Sequence, residues 1–278
     1  MSKKILVVGG VAGGAGTAAR ARRLDEDAEI IMFERGSHVS FSNCSLSYHL
    51  SGIVRDCDDL VLMCPSKFAE QYNIDARVKN EVLAINREEK TVEVKDLEKG
   101  ETYTEAYDKL ILSPGANPIR PGSIKGVNNE NVFTIRNVDD IDKLNKYVQK
   151  NGVENVAVIG AGYIGVEIAE NFVHNDKNVA LVEAMDQVLN PFDHDMAQII
   201  QKELHDNGVN VVLSDPLSEV HDDHVVLKSG KKIDAEAVVL AIGVSPETEL
   251  AEDAGLKIGE TGGIEVNHNF VTSDPDIY

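Results

Sequence analysis

Short, nearly continuous apolar runs recur along the chain: Ile5 to Val8, Glu29 to Glu34, Lys109 to Ser113, Asn155 to Ile159, Asn178 to Glu183 and Ala237 to Ile242. Runs of this length, rich in β-branched residues and without polar alternation, predict strands buried on both faces of parallel sheets. Gly14 to Leu24 and Gly165 to His174 lie between them and predict helices. Strands alternating with helices define the class as α/β with parallel sheets. From Ala76 to Tyr107 the period changes: Val78 to Val82 and Thr91 to Val94 alternate and are joined by the charged turn Arg87-Glu88-Glu89-Lys90. That pattern predicts a β-meander inserted into the first domain. The Pro- and Gly-rich stretch 114–122 and the cluster Gly243-Val244-Ser245-Pro246 mark two crossings between domains. The predicted domains are residues 1–117, residues 118–243, and a return to the first domain over 244–278. Each half repeats the order strand, Gly loop, helix, strand ending in an acid.

Composition narrows the class. A chain of 278 residues, 42% hydrophobic and 27% charged, has the length for about two ordinary cores. No stretch approaches the roughly 20 apolar residues of a membrane span, and Met1-Ser2-Lys3-Lys4 runs straight into a strand without a signal-peptide h-region. A cytoplasmic location is expected. Lys and Arg number 27 against 47 Asp and Glu, a net charge of −20, which argues against nucleic acid or an anionic membrane as partner. Cys44, Cys57 and Cys64 make no disulfide framework and lack the paired spacing of a zinc site, so no metal is expected. Asp193-His194-Asp195 reads as an acidic loop, and His221 and His224, beside Asp222 and Asp223, as a turn.

Two Gly-rich loops carry the chemistry. Gly9-Gly10-Val11-Ala12-Gly13-Gly14 follows a strand and opens a helix, with Glu34 20 residues beyond Gly14. Glycines let backbone approach a pyrophosphate, the helix N-terminus supplies amides and a positive dipole end, and the acid accepts ribose hydroxyls. Val11 occupies the place of the middle glycine, and a merely tight strand-to-helix turn is the alternative. Gly160-Ala161-Gly162-Tyr163-Ile164-Gly165 is the complete fingerprint, and Glu183 closes the next strand 18 residues after Gly165. An acid there accepts the 2′-hydroxyl of NADH and repels the 2′-phosphate of NADPH, and Ala184-Met185-Asp186 supplies no cation. NADH is favoured over NADPH, with Lys177 a residue that could reach in.

Cys44 follows Ser40-Phe41-Ser42-Asn43. Asn43 is a good N-cap for a short helix over Ser45 to Leu50, which would place the thiol in a first helical turn that favours the thiolate. A buried small hydrophobe is the alternative. Cys57 and Cys64, flanking Leu60-Val61-Leu62-Met63, read as packing residues or as a resolving thiol. His49 is a proton donor or a bystander. Arg20 and Arg23, one turn apart, hold phosphates or form a solvated face.

These pieces, with Ser113-Pro114-Gly115-Ala116 and Ala241-Ile242-Gly243-Val244-Ser245-Pro246, resemble from end to end the FAD-dependent pyridine nucleotide-disulfide oxidoreductases. Within that family they are most similar to the branch of coenzyme A-disulfide reductases, NADH-dependent persulfide reductases and NADH oxidases or peroxidases, where Val11 is usual. The resemblance implies two Rossmann-like domains binding FAD and NAD(P), each of the three-layer ββα type, with the β-meander insertion. It implies FAD bound by Gly9 to Gly14, Glu34, Arg35, Ser113, Gly115 and Ala116, and NADH bound by Gly160, Gly162, Tyr163, Ile164, Gly165 and Glu183. Gly243 joins the cofactor set, and Tyr163 would lie over the flavin as a gate. Position 49 is His where the dithiol enzymes carry a second cysteine, so Cys44 would form its disulfide or persulfide with a small-molecule substrate, or a sulfenic acid. Oxidase and peroxidase relatives place a histidine in the first Gly loop, and Gly9-Gly10-Val11 has none, which favours disulfide or persulfide reduction. Arg20, Arg23, Ser40 and Asn43 become the candidate substrate residues, coenzyme A among the substrates. A non-catalytic redox sensor is the non-enzymatic alternative. Thr272 to Tyr278 resembles the approach to a second FAD motif, so the chain is either a fragment or a natural short form of a homodimeric protein.

Overall fold

The computed structural model describes residues 2–278. The chain forms two compact units: the chain up to Ser42 with Val61–Asn117 and Ser245–Tyr278, and Asn43–Leu60 with Pro118–Val244. Residues 43–60, expected with the first domain, therefore belong to the second.

The first unit is built on four parallel strands in the order Asp75–Val78, Glu29–Glu34, Lys4–Val8, Lys109–Leu112. Side chains alternate across the sheet, so each strand serves two cores. Leu6, Val8, Ile31 and Phe33 pack with Ile85, Val92 and Val94 of an antiparallel meander, Asn80–Asn86, Thr91–Asp96 and Thr102–Ala106. Val7, Ile30 and Met32 pack with Ala15 and Ala18 of the helix Ala12–Leu24, whose small residues permit close approach. Meander, parallel sheet and helix make the three-layer ββα arrangement. The apolar alternation Val78 to Val82 does not form one strand. Lys79 adopts φ +52°, donates its N–H to the Gly36 carbonyl at 2.9 Å, and turns the chain from the parallel strand into the meander. The chain returns beside Lys109–Leu112, where the Tyr278 N–H donates to the Leu110 carbonyl at 2.9 Å and Ile277 is fully buried.

The second unit repeats the plan with five parallel strands in the order Asn210–Val212, Asn178–Val182, Asn155–Ile159, Ala237–Leu240, Val132–Phe133. Ala157, Ile159, Ala180, Val182 and Val238 pack with Leu217, Val225, Leu227 and Ile233 of a second antiparallel meander, Leu217–Val220, His224–Leu227 and Lys232–Asp234. Strands of three or four residues carry too little alternation to announce themselves. His221 and His224, expected in a turn, flank the turn at Asp222 and Asp223. Their rings stack 4.4 Å apart, and His224 opens a strand. The helix Tyr163–His174 lies against Asn155–Ile159 and Asn178–Val182. The helix Val138–Asn151 starts at a capping box: Asn137 Oδ1 accepts the Asp140 N–H at 2.9 Å, and Asp140 accepts the Asn137 N–H at 3.3 Å. Its buried face is Val138, Ile141, Leu144 and Val148. No helix among the described residues is long and apolar enough to cross a membrane.

Candidate functional site

The two Gly loops have the same internal geometry. In the first unit, Gly9 has φ +95° and donates its N–H to the Phe33 carbonyl at 2.8 Å. In the second, Gly160 has φ +101° and donates to the Val182 carbonyl at 2.7 Å. A Cβ on Gly14 would overlap the Gly9 carbonyl oxygen, and one on Gly165 would overlap that of Gly160. These glycines let each helix start directly against its strand end.

The acids complete the match. Glu34 accepts the Gly10 N–H at 2.8 Å on one oxygen and the Gly36 N–H at 2.7 Å on the other. Glu183 accepts the Ala161 N–H at 2.7 Å and the Met185 N–H at 2.9 Å in the same way. Each carboxylate has about four lone-pair sites, so roughly two remain for hydroxyls of a bound sugar.

Gly162 differs from its neighbours. It caps the helix Tyr163–His174 at φ −75°, and a Cβ there would meet nothing within 4 Å. No protein neighbour requires glycine at 162. The open side adjoins the first-turn amides of the helix, which lack carbonyls one turn behind them, and this fits a pyrophosphate drawn close to backbone. In the first loop Val11 takes the corresponding cap position, half-buried, while Gly13 lies 3.2 Å, as a built Cβ, from Ser113 Oγ. Both loops therefore fit dinucleotides, the first with its pyrophosphate approach at Ala12 and Gly13, which are exposed.

Other candidate residues are distributed unevenly. Ser40, at φ +49°, donates its N–H to the Gly10 carbonyl at 2.9 Å and accepts the Leu62 N–H at 2.9 Å, so its backbone braces the first loop. Arg35 Nη2 contacts Glu247 at 2.8 Å and Asn117 Oδ1 at 3.3 Å, both within the first unit. Gly115, at φ +79°, accepts the Glu247 N–H at 3.0 Å through its carbonyl, and Ala116 opens a short strand. Gly243, at φ +108°, accepts the Ile119 N–H at 3.0 Å. Arg20 and Arg23 are exposed on the helix Ala12–Leu24. Arg22 between them, which the sequence left unremarked, instead binds four carbonyls, those of Tyr72, Asp25, Glu26 and Asn73. In the second unit, Tyr163 and Ile164 are exposed, and the Tyr163 ring meets the edge of Phe192 at 5.9 Å. Gln187 supports Phe192 by donating to its carbonyl at 2.9 Å.

Cys44 is exposed, as is Asn43. The expected helix from Ser45 to Leu50 is not continuous. Two 3₁₀ turns, Asn43–Ser45 and Ser47–His49, replace it, with the Leu46 N–H on the Asn43 carbonyl and the His49 N–H on the Leu46 carbonyl. Leu46 and Leu50 are buried and draw this face inward. Ser47, one turn beyond Cys44, is buried with a hydroxyl oxygen that has no hydrogen-bond partner among the described residues. His49 is buried, with Nδ1 2.9 Å from the Val54 carbonyl and Nε2 3.0 Å from Asn145 Nδ2. A carbonyl only accepts, so Nδ1 carries the proton and Nε2 accepts the amide. Both nitrogens are committed, which removes His49 as proton donor to Cys44. Cys57, 3.4 Å from His49 Nε2, has its thiol pushed up by burial and by the Asp142 and Asp56 carboxylates. Cys64 contacts the Ser66 hydroxyl at 3.1 Å, which together with the Lys67 backbone holds its thiol below the ordinary value.

The description of the pyridine nucleotide-disulphide oxidoreductase family matches residues 3–278, and the chain belongs to that family. It is 36% identical to a coenzyme A disulfide reductase of Staphylococcus aureus (strain JH9) over 99% of its own length and 62% of that relative's. Among solved structures it superposes on reduced Bacillus anthracis CoADR-RHD with a TM-score of 0.97 and 45% identity, covering all of this chain and 50% of that one. An NAD-dependent persulfide reductase from A. fulgidus gives a TM-score of 0.95 at 36% identity, covering 99% of this chain and 52% of that one. The chain thus spans about half to two thirds of the proteins it matches.

Proposed function

We propose that this chain carries the FAD- and NADH-binding portions of a reductase that cleaves small-molecule disulfides or persulfides, coenzyme A disulfide among them, through Cys44. The observation that carries this reading is the thiol's setting. Cys44 is exposed in a segment whose position five residues on is a buried, fully engaged histidine, so that position supplies no second sulfur for an internal disulfide. The names of the S. aureus and A. fulgidus relatives support the substrate class.

Gly9 to Gly14 with Glu34 would hold FAD, and Gly160 to Gly165 with Glu183 would hold NADH. Bound flavin would accept two electrons from NADH and release them to sulfur. The residues of this chain would do the rest. Glu183, with Ala184 and Met185 beside it and no cation in that run, accepts a ribose 2′-hydroxyl and disfavours a 2′-phosphate. Cys44 as thiolate attacks the substrate S–S bond, forms a mixed disulfide and expels one half as a thiolate, which takes a proton from water. Two electrons and a proton then cleave the mixed disulfide, releasing the second thiol and regenerating the Cys44 thiolate. Asn43 and Ser40 stand within the same run as candidate substrate contacts.

The mass of Cys44 in the purified full-length protein, before and after dithiothreitol, tests the reading. Loss of a coenzyme A-sized or persulfide sulfur adduct is expected. An added oxygen atom instead would move the protein to the oxidase or peroxidase class, with Cys44 a sulfenic acid. Stoichiometric flavin reduction by NADH without turnover on any disulfide would make it a redox sensor.

A further inference from the structure

The segment that bears Cys44 is fastened to two helices of the second unit by part-buried polar contacts. Asn171, 1% exposed in the helix Tyr163–His174, accepts the Ser51 hydroxyl on Oδ1 at 2.6 Å and donates Nδ2 to the Glu167 carbonyl at 2.8 Å. Asparagine is a poor helix former, and a buried amide without partners is costly, so this side chain requires a reason at position 171. Ser51 supplies it from outside the helix. His49 makes the second fastening. Its Nδ1–H closes the segment on Val54, and its Nε2 accepts the Asn145 amide from the helix Val138–Asn151. Asn145 is itself oriented by Gln149, which donates to its Oδ1 at 3.2 Å. Cys57 Sγ lies 3.4 Å from the same Nε2, alongside the Asn145 amide that this nitrogen accepts.

Cys44 lies only five residues before His49 and seven before Ser51. The helix that carries Asn171 begins at Gly162 and Tyr163, where the second dinucleotide loop opens. One rigid element therefore links the proposed NADH phosphate cradle to the anchor of the thiol segment. We propose that Asn171, Ser51, His49 and Asn145 are positioning residues that seat the Cys44 segment on the NADH-binding unit, so that the thiol is carried by that unit. The proposal rests on the reading of Cys44 as the redox thiol. Its consequence is a division of labour between half-reactions: these contacts act on the step at sulfur and leave hydride delivery alone.

The test uses the full-length protein with Ser51→Ala, Asn145→Ala and Ser51→Thr. Hydrogen exchange is measured across residues 43–60, and the two half-reactions are followed by stopped flow. Each alanine variant is expected to raise amide exchange at least about tenfold within 43–60 only, where local opening is governed by such contacts. The same variants are expected to slow reoxidation by the disulfide about tenfold and leave flavin reduction by NADH within about twofold. Ser51→Thr, which keeps the hydroxyl, is expected to restore both readouts. Unchanged exchange over 43–60, or both half-reactions slowed together, would overturn the proposal. The exchange readout does not require turnover. A protein that reduces no disulfide, yet loosens 43–60 in the variants, would sink the redox reading while leaving the seating of the segment intact.

Discussion

Glu183 accepts the backbone N–H of Ala161 at 2.7 Å, across 22 residues of chain, and so joins the end of one strand to the Gly loop at the end of its neighbour. With Met185 on its other oxygen, the carboxylate is oriented before any sugar arrives. Glu34 and Gly10 reproduce the relationship in the first unit at 2.8 Å. A preset acceptor loses little freedom on binding, and hydrogen bonds to a charged group contribute about 1.5–3 kcal/mol. Glu183→Ala is therefore expected to weaken NADH by roughly tenfold to a hundredfold. Adding Ala184→Arg should reverse the preference toward NADPH, read from kcat/KM with each nucleotide. An unchanged NADH to NADPH ratio in the double variant would remove Glu183 from the ribose site.

Gly162 and Gly165 lie three residues apart and should respond oppositely to a methyl group. A Cβ at 165 overlaps the Gly160 carbonyl oxygen, whereas one at 162 meets open space. Gly165→Ala is expected to destabilise the second unit by about 3 kcal/mol, the upper part of the usual overpacking range. Gly162→Ala should leave the thermal transition in place and weaken NADH binding. Calorimetry and nucleotide titration on both variants separate a fold glycine from a ligand glycine, and the reverse pattern would refute the cradle.

The three cysteines should label in a definite order. Cys44 is exposed, and the Ser66 hydroxyl lowers the Cys64 thiol, while burial and the Asp142 and Asp56 carboxylates raise Cys57. Thiolate is the reacting form, so at neutral pH iodoacetamide should modify Cys57 last. Peptide mass spectrometry against time gives the order. Asp142→Asn should speed Cys57, and labelling of Cys57 ahead of Cys44 would contradict the assignment of its environment.

Acid should loosen the first unit through Asp276. Its carboxyl is lowered to about 2 by the Lys109 ammonium, 2.7 Å away, and by Lys90. A folded pKa below the ordinary value of 3.8 contributes stability that is present above about pH 4 and is lost as pH falls from there to about 2. Asp276→Asn should flatten that part of the acid stability profile, measured by denaturant unfolding at each pH. An equally steep loss in the variant would assign the acid sensitivity elsewhere.

Several elements were legible because local pattern and tertiary role coincide. The runs at Lys4–Val8, Asn155–Ile159 and Ala237–Leu240 are apolar on both faces because each face meets a separate layer, and periodicity records that directly. The helix Val138–Asn151 left a usable trace that the periodic runs overshadowed: Asn137 three residues before Asp140, then Ile141, Leu144 and Val148. The second meander left almost none, since its strands are three or four residues long. Lys79 shows a different limit. Alternation continues through it, and a left-handed residue bound to the Gly36 carbonyl breaks the strand, a contact set 43 residues away in the chain.

The sequence by itself determined the two α/β units, both Gly loops, the paired acids and the isolation of Cys44 from a second cysteine at position 49, because each depends on residue type at short spacing. Tertiary structure alone decided where the thiol segment belongs. Residues 43–60 precede the first crossing in the chain, yet Ser51 finds Asn171 and His49 finds Asn145, 120 and 96 residues away. Buried polar groups must be satisfied wherever the fold brings a partner, and sequence proximity has no part in that choice. The same long-range pairing turned His49 away from Cys44 and held it as an anchor.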